Sequence, residues 1–482
     1  MARTTLSGFL KDFSAKDNVS FHMPGHKGAE IFIESGYEDE IRHLVETDIT
    51  ETRGADNLFQ AEGVIRATMD SYKTLYDAKE AFILVGGSSS GVVASILTCA
   101  PPGTKLLLAA NCHNSASNGL ILADAKPAYI NTGMLPGYGI GGPIEPADVA
   151  ESLDENPDAS AVLITSPNYY GICSDIRAIA EEVHSRGKIL IVDEAHGAHL
   201  SMMRRAFEAE GIPHKRLDAE SQGADIVITS IHKTMASFTQ TALALICSDR
   251  VDTAIMADNL RMIQTTSPSY ILMQSVDLNA KIVEKRGKEL SLRWRDNLDW
   301  FREKAKEEVP ALDVMDHEML DETKLNLDMS AYDMDGDELY NRLADKGVYL
   351  ELSCGDIAMG MTGIGNVRRD YERLLEALKE IAEECGPAHE RPETDVQEFI
   401  NESMYSHPEI TAIPRHRRKV HYSEAAGLIS AFSVVPYPPG IPIIVPGEVM
   451  TAEKLGYAAD LRNQGKKVIG ISKDGYVICG EE

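Results

Sequence analysis

The feature that most constrains this fold is a series of short, continuous apolar runs that begins near residue 76, with helical stretches between them. The runs include AFILV (81–85), TKLLLAA (104–110), SAVLITS (160–166), KILIVD (188–193) and ADIVITS (224–230). Apolar runs without polar alternation predict strands that are buried on both faces. Their alternation with helices predicts an α/β fold with a mainly parallel sheet, whose chemistry lies at the carboxyl ends of the strands.

The length of the chain predicts several domains, because 482 residues exceed the size of one compact unit. We predict an N-terminal segment at 1–75 and a large domain at 76–315. A smaller α/β unit is expected at 316–388. A C-terminal unit, which contains VVPYPPGIPIIVPGE, is expected at 389–482.

Composition and charge argue against several classes of protein. The formal net charge of −28 opposes non-specific binding to nucleic acid or to an anionic membrane. No apolar run is long enough to span a membrane, and MARTTLSGFLKDFSAKDN lacks the apolar centre of a signal peptide. The seven cysteines form no CxxC pair, which suits a reducing compartment. We therefore predict a cytoplasmic protein with no nucleic-acid or membrane partner.

Two polar segments follow predicted strands in the first half of the large domain. GGSSSG (86–91) precedes a helix, and a loop of this kind can bind phosphate through backbone N–H groups and the helix dipole. An ordinary strand–helix turn would have the same composition. His113, in AANCHNSAS, could lie against a flat ring or simply cap a loop.

Two charged residues stand where the next strands end. Asp193 ends KILIVD, so its carboxylate is poorly solvated and needs a partner such as a pyridinium nitrogen, a metal ion or a helix N-terminus. Lys233, in TSIHK, follows ADIVITS. A desolvated lysine has a lowered pKa and can form a Schiff base.

Pyridoxal 5'-phosphate is a cofactor that uses all four of these features. Its aldehyde needs a lysine, its ring nitrogen an acidic partner, its phosphate a Gly/Ser loop and its ring face a stacking group. We therefore predict this cofactor. DEAHGAH (193–199) also has the composition of a metal site, but the downstream Lys233 favours the cofactor, and we predict no metal.

Eight motifs, in their order along the chain, resemble the bacterial ornithine/lysine/arginine decarboxylases. They are FHMPGHKG, GADNLFQAEG, GGSSSG, NCHNS, VDEAHGAH, TSIHK, QTTSPSY and YPPGIPIIVPGE. The length is similar to that of the short, arginine decarboxylase-like members. The resemblance implies an aspartate aminotransferase-type large domain, as in other PLP-dependent transferases, with a smaller α/β domain and a C-terminal α+β decarboxylase domain. It also implies α-decarboxylation of arginine, lysine or ornithine to the amine and carbon dioxide.

The resemblance implies a role for each matching residue near the reacting atoms. Lys233 matches the Schiff-base lysine, Asp193 the partner of the pyridine nitrogen, and His113 the histidine that stacks on the ring. His196 takes a position near the ring hydroxyl. Glu448, in PGE, matches a glutamate that is directed toward the distal cationic group of the substrate.

Five further side chains match positions on the phosphate side of the cofactor. These are Ser89, Ser90, Ser230, His232 and Thr265. The last of them, in QTTSPSY, matches a threonine that reaches the phosphate from a neighbouring subunit. The resemblance therefore implies a homodimer or a larger homo-oligomer with a shared active site.

Two other functions stay open on the sequence. Another reaction of the same cofactor, such as transamination or side-chain elimination, would use an arginine of the small domain for the α-carboxylate, and Arg368 and Arg369 are candidates. A catalytically silent, regulatory relative is the second, although the intact Lys233, Asp193 and His113 argue against it. The choice among the three basic amino acids, and between polyamine synthesis and acid resistance, also stays open.

Overall fold

The computed structural model describes residues 6–389, 407, 410–437 and 442–481. Its helices are α1 (Leu6–Ser14), α2 (Glu30–Glu34), α3 (Glu38–Arg42), α4 (Val64–Leu75), α5 (Gly87–Cys99), α6 (Asn114–Ala123), α7 (Pro146–Glu155), α8 (Ile176–Ser185), α9 (Leu200–Glu210), α10 (Ile231–Thr234), α11 (Thr253–Ile263), α12 (Tyr270–Glu308), α13 (Gly336–Asp345), α14 (Arg368–Cys385) and α15 (Ala452–Asn463). Short 3-10 helices lie at Leu58–Gln60, Glu220–Gln222, Ser330–Tyr332 and Tyr422–Glu424. None of the described helices combines the length and apolarity that a membrane span requires.

The strands follow the predicted apolar runs closely in the large domain. They are β1 (Val19–Phe21), β2 (Glu80–Leu84), β3 (Lys105–Ala109), β4 (Lys126–Ile130), β5 (Met134–Leu135), β6 (Ile140–Gly141), β7 (Ala159–Thr165), β8 (Ile189–Asp193), β9 (Ile226–Thr229), β10 (Ala242–Ile246), β11 (Asp313–Val314), β12 (Lys324–Asp328), β13 (Val348–Leu350), β14 (Leu352–Cys354), β15 (Ile357–Met361), β16 (Arg417–His421), β17 (Val435–Tyr437), β18 (Lys467–Ile469) and β19 (Tyr476–Gly480).

Seven strands form the central sheet, in the order β2-β10-β9-β8-β7-β3-β4. All pairs in it are parallel except those of β10, which is antiparallel to both of its neighbours. Every residue of β9 and of β10 is buried, which explains why these runs are apolar at successive positions. The predicted α/β fold with a mainly parallel sheet is confirmed.

Helix α5 packs tightly on this sheet because a glycine lies at the contact. A Cβ atom on Gly91 would lie 2.7 Å from Leu84 Cδ1 and 2.9 Å from Ile228 Cγ2. Both distances are too short for carbon atoms, so only glycine allows this approach. The close packing holds the GGSSSG segment at the carboxyl ends of β2 and β9.

A smaller antiparallel sheet, in the order β11-β12-β15-β14, follows the long helix α12. The N-terminal segment is joined to this part of the chain, because β1 pairs in parallel with β13. Val19 lies opposite Val348, and Phe21 lies opposite Leu350. Residues 1–75 are therefore not an isolated unit in space, although they precede the large domain in sequence.

The C-terminal unit has its own apolar cluster and two small sheets, β16-β19 and β17-β18. Helix α15 contributes Leu455, Ala458 and Leu461 to that cluster. Of the motif YPPGIPIIVPGE, residues 438–441 lie outside the described part of the chain. Residues 390–406, at the start of the predicted C-terminal unit, lie outside it as well.

Candidate active site

Lys233 lies on the short helix α10, directly after β9, at the carboxyl edge of the central sheet. Its Nζ makes no hydrogen bond to any described residue. Burial is the largest cause that lowers the pKa of Lys233; the charge of Lys324 lowers it further, while Asp193 and Glu351 oppose the shift. An unbonded amine whose pKa is lowered is suited to act as a nucleophile.

Asp193 ends β8, the neighbouring strand, where it lies opposite Ile228 of β9. The residue is only 4% exposed, and its Oδ1 accepts a hydrogen bond from the Ala195 N–H at 3.1 Å. Burial raises the pKa of this carboxyl, and the ammonium of Lys233 opposes the increase. The carboxylate therefore depends on a nearby cation to keep its charge.

Two histidines complete the cluster around Lys233. His113 caps the N-terminus of α6, and burial followed by the charge of Lys233 lowers its pKa to about 4, so the imidazole is neutral near pH 7. His196 follows β8 and packs edge-on against the ring of Tyr169, with 4.9 Å between centroids. Burial lowers the pKa of His196, and the charges of Lys233 and Lys324 lower it further. The structure thus brings together Lys233, Asp193, His113 and His196.

The predicted phosphate-side residues surround the N-terminal end of α5 and the end of β9. Ser89 is exposed in the first turn of α5, and the Ser90 hydroxyl donates to the Gly87 carbonyl at 2.8 Å. Ser230 is fully buried, and its hydroxyl has no partner among the described residues. His232 lies 2.7 Å from the Thr241 carbonyl through Nδ1. Their contacts with a phosphate stay a prediction.

Thr265 is exposed, and its hydroxyl oxygen accepts a hydrogen bond from the Ser267 N–H at 3.2 Å. The preceding residue, Gln264, accepts a hydrogen bond at 2.8 Å from the N–H of Val85, next to the GGSSSG segment. Thr265 is therefore near that segment in its own chain. Its predicted contact with the phosphate of a neighbouring subunit stays a prediction.

Unpartnered polar atoms around Lys233 indicate that this site fits pyridoxal phosphate. Both ring nitrogens of His196, the hydroxyl of Ser230 and Oδ1 of Asn111 are buried without a hydrogen bond. Leaving buried polar groups unpaired costs free energy, so several such atoms in one place indicate a polar ligand. A primary amine, a carboxylate and a neutral imidazole at the same place provide what the aldehyde, ring nitrogen and ring face require.

Glu448 is placed differently from the prediction that it faces a substrate. Its side chain is 1% exposed, and Oε1 accepts a hydrogen bond from Lys454 Nζ at 2.5 Å. Oε2 lies 2.8 Å from His407 Nδ1 and also accepts from the Val445 N–H at 2.8 Å. Both oxygens are thus engaged within the C-terminal unit, because the chain itself supplies the cation that the motif suggested a substrate would bring.

The two arginines proposed for a transaminase-like site also have other partners. Arg368 donates to Asn297 Oδ1 at 2.9 Å and stacks on Trp300 at 4.6 Å. Arg369 pairs with Asp17 at 2.9 Å, with 68% of its side chain exposed. The structure therefore gives no support to transamination through these residues.

Sequence reasoning missed a buried ionic network behind the cluster. Lys324 is fully buried; its Nζ donates to Asp321 Oδ2 at 2.8 Å and to the His196 carbonyl at 3.3 Å. Asp321 Oδ1 lies 3.1 Å from His199 Nε2, and His199 Nδ1 lies 3.2 Å from the hydroxyl of Thr234. The sequence signal for this network was weak, because Lys324 begins KLNLD, in which polar and apolar residues alternate. Glu351, a single acidic residue inside VYLELSC, was missed in the same way.

Comparison with known proteins gives a family match over most of the chain. The family model described as the Orn/Lys/Arg decarboxylase major domain matches residues 4–351, and the model of the C-terminal domain matches residues 399–475. An arginine decarboxylase of Bacillus subtilis strain 168 is 29% identical over 494 residues, which cover 97% of this chain and 95% of that protein.

Solved structures show the same fold. Lysine decarboxylase A from Pseudomonas aeruginosa aligns with a TM-score of 0.76 at 18% identity, over 98% of this chain and 80% of that one. A serine palmitoyltransferase from Sphingomonas wittichii aligns with a TM-score of 0.56 at 13% identity, over 77% of this chain and 87% of that one. These likenesses confirm the predicted architecture of PLP-dependent transferases.

Proposed function

The chain belongs to the Orn/Lys/Arg decarboxylase family, and we propose that it removes the α-carboxylate of arginine at the cluster around Lys233. The family acts on basic amino acids and depends on pyridoxal phosphate. One observation carries the assignment of the site: the amine of the half-buried Lys233 makes no hydrogen bond to a described residue and lies within range of the charge of Asp193 and of the imidazole of His113.

Five side chains would hold the cofactor. Lys233 would bind the aldehyde carbon through Nζ, Asp193 would face the ring nitrogen, and His113 would cover one face of the ring. Ser230 and His232 would lie on the phosphate side, together with the first turn of α5. When bound, pyridoxal phosphate supplies a carbon that takes up the substrate amine and a cationic ring that accepts the electron pair released with carbon dioxide.

The protein groups of this cluster each control a charge or a proton. The Asp193 carboxylate would keep a proton on the ring nitrogen, and burial strengthens that pairing. The low pKa of His113 keeps its imidazole neutral, so it does not repel a cationic ring. Lys233 Nζ can release and regain a proton readily and would return a proton to Cα after the carboxylate has left.

Arginine is the proposed substrate because a relative that matches nearly the whole chain bears the name arginine decarboxylase. We also propose a cytoplasmic homo-oligomer. The seven cysteines, all of them free thiols, support a reducing compartment. Thr265 is exposed and so is accessible to a neighbouring subunit, which supports a shared site.

A substrate panel tests the proposed function. The purified protein is incubated with pyridoxal phosphate and either arginine, lysine or ornithine, and both amine and carbon dioxide are quantified. We expect agmatine and carbon dioxide in equal amounts from arginine. Amine from lysine or ornithine alone would reassign the substrate, and a keto acid without amine would contradict decarboxylation.

A further inference from the structure

Glu351 lies in the short connection between β13 and β14, in the part of the chain that pairs with the N-terminal segment. Its side chain is half-buried. Oε2 accepts a hydrogen bond from the backbone N–H of Met23 at 2.8 Å. The carboxylate is therefore anchored to FHMPGHKG, a segment 328 positions away in sequence.

That segment lies directly on the turn that carries Lys233. The Gly25 N–H donates to the His232 carbonyl at 2.8 Å. A Cβ on Gly25 would lie 2.3 Å from the carbonyl carbon of Thr234, so the two backbones touch and only glycine fits between them. Glu351 is thus bonded to a residue two positions before this contact. Consistent with that position, its charge opposes the lowering of the Lys233 pKa.

One oxygen of the Glu351 carboxylate is available to bind a cation. Its Oε1 makes no hydrogen bond to any described residue, and no ion pair joins it to a described lysine, arginine or histidine. The charge of Lys27, in the same segment, interacts with that of Glu351, but its Nζ donates to the carbonyls of His22 and Met361 instead of to this carboxylate. A half-buried carboxylate that has no directly bonded cation is stabilised when a ligand supplies one.

Two other carboxylates that the sequence singled out, Asp193 and Glu448, already have roles or partners. Asp193 ends β8 and is proposed to face the ring nitrogen. Glu448 pairs with Lys454 and His407, so both of its oxygens are occupied. Resting on the proposed function, we propose that Glu351 selects the substrate by pairing with the cationic end of its side chain. This pairing would distinguish a guanidinium or ammonium from a neutral group of the same size.

The test compares a basic substrate with its neutral isostere, which is citrulline for arginine and 2-aminoheptanoate for lysine. Glu351→Gln keeps an acceptor for the Met23 N–H but removes the negative charge. The KM of the basic substrate and the Ki of the isostere as a competitive inhibitor are measured. We expect the KM to rise about 10- to 100-fold in the variant while the Ki changes less than about threefold.

Two further variants make the result decisive. Glu448→Gln is the matched control and is expected to leave the ratio of Ki to KM within about threefold of the wild-type ratio. Glu351→Ala removes the carboxylate without adding bulk, and it is expected to lower the ratio of Ki to KM as Glu351→Gln does. It replaces Glu351→Gln in the test if that variant does not fold.

An unchanged ratio in both Glu351 variants would overturn the inference, as would a lowered ratio in Glu448→Gln alone. Wild-type protein that releases no amine from any basic amino acid would instead contradict the proposed function.

Discussion

Two of the lysine–carboxylate pairs in the described part of the chain differ in whether the ammonium bonds directly to the carboxylate. In the C-terminal unit, Lys454 bonds directly to Glu448 at 2.5 Å, and His407 bonds to the other oxygen. At the Lys233 site, by contrast, the ammonium makes no hydrogen bond and acts on Asp193 only through its charge. We call the first the Glu448 triad, which consists of His407, Glu448 and Lys454.

The difference separates a structural ion pair from a binding site. Removing two ions from water is costly, and direct contact together with hydrogen bonds offsets that cost in the Glu448 triad. The ring of His407 also packs on Tyr129 of β4 at 5.0 Å, so the triad adjoins the central sheet. The Lys233 site lacks such bonds, and its polar atoms are left for a ligand to pair.

The largest effect is expected from Lys233→Ala, which removes the lysine that has no direct hydrogen bond to Asp193. Decarboxylation should fall by on the order of 10⁴-fold or more, because Lys233 is the proposed nucleophile and the nearby Lys324 amine is already bonded to Asp321. The visible absorbance of the bound cofactor should be lost as well. Lys304→Ala, on the exposed side of α12, is the control and should keep both properties. A Lys233→Ala protein that kept its band and activity would refute the assignment.

The next largest effect is expected from Lys454→Met, which removes the hydrogen-bonded cation from the Glu448 triad. The Glu448 carboxylate would be left buried without its cation, at a cost of about 3–5 kcal/mol in the free energy of unfolding. Urea denaturation measures this loss. The double variant Lys454→Met/Glu448→Gln should recover most of it, because no charge is then left unpaired. A single variant as stable as wild type would show that the triad is not structural.

The pH dependence of stability sharpens the comparison at the Lys233 site. Burial lowers the pKa of His232 from 6.5 to about 4, so the unfolded chain binds this proton more tightly than the folded one. The contribution of the neutral His232 to the free energy of unfolding is therefore complete above pH 6.5. As the pH falls toward 4, this contribution decreases by roughly 3 kcal/mol. In His232→Asn, the free energy of unfolding should depend less steeply on pH between these values. An identical slope would contradict the burial of a neutral imidazole.

The smallest effect is expected at a third kind of pair, on the surface. Arg369 and Asp17 are 68% and 74% exposed, so solvent screens their attraction. Arg369→Ala should change kcat/KM by less than about twofold and the free energy of unfolding by less than about 0.5 kcal/mol. A large loss of kcat/KM, measured with the substrate panel, would bring back a role for this arginine in holding the α-carboxylate.

Sequence patterns predicted those parts of the molecule that depend on local order. KILIVD and ADIVITS are continuous apolar runs, and such runs occur where both faces of a strand are covered. Parallel strands place their carboxyl ends at one edge, so Asp193 and Lys233 could be expected to meet there. The fold class and the cofactor were readable for this reason, whereas decarboxylation was implied by the resemblance of the motifs to a known family.

Partners that lie far apart in sequence could not be read in this way. The PGE motif identified Glu448, but it did not show that Lys454 and His407 would neutralise the carboxylate. Glu351 looked like one polar position in a strand, and its importance depends on Met23, to which it is bonded across the chain.

By itself, the sequence determined the α/β sheet, the position of Asp193 and Lys233 at its edge, and the decarboxylase family. Periodicity and motif order carry that information because they depend on neighbours along the chain. Only the tertiary structure decided which carboxylate is neutralised and which has an unpaired oxygen. That outcome depends on the parallel pairing of β1 with β13 and on the packing of FHMPGHKG against the Lys233 turn. Burial and long-range hydrogen bonds, rather than residue type, set the state of each charge.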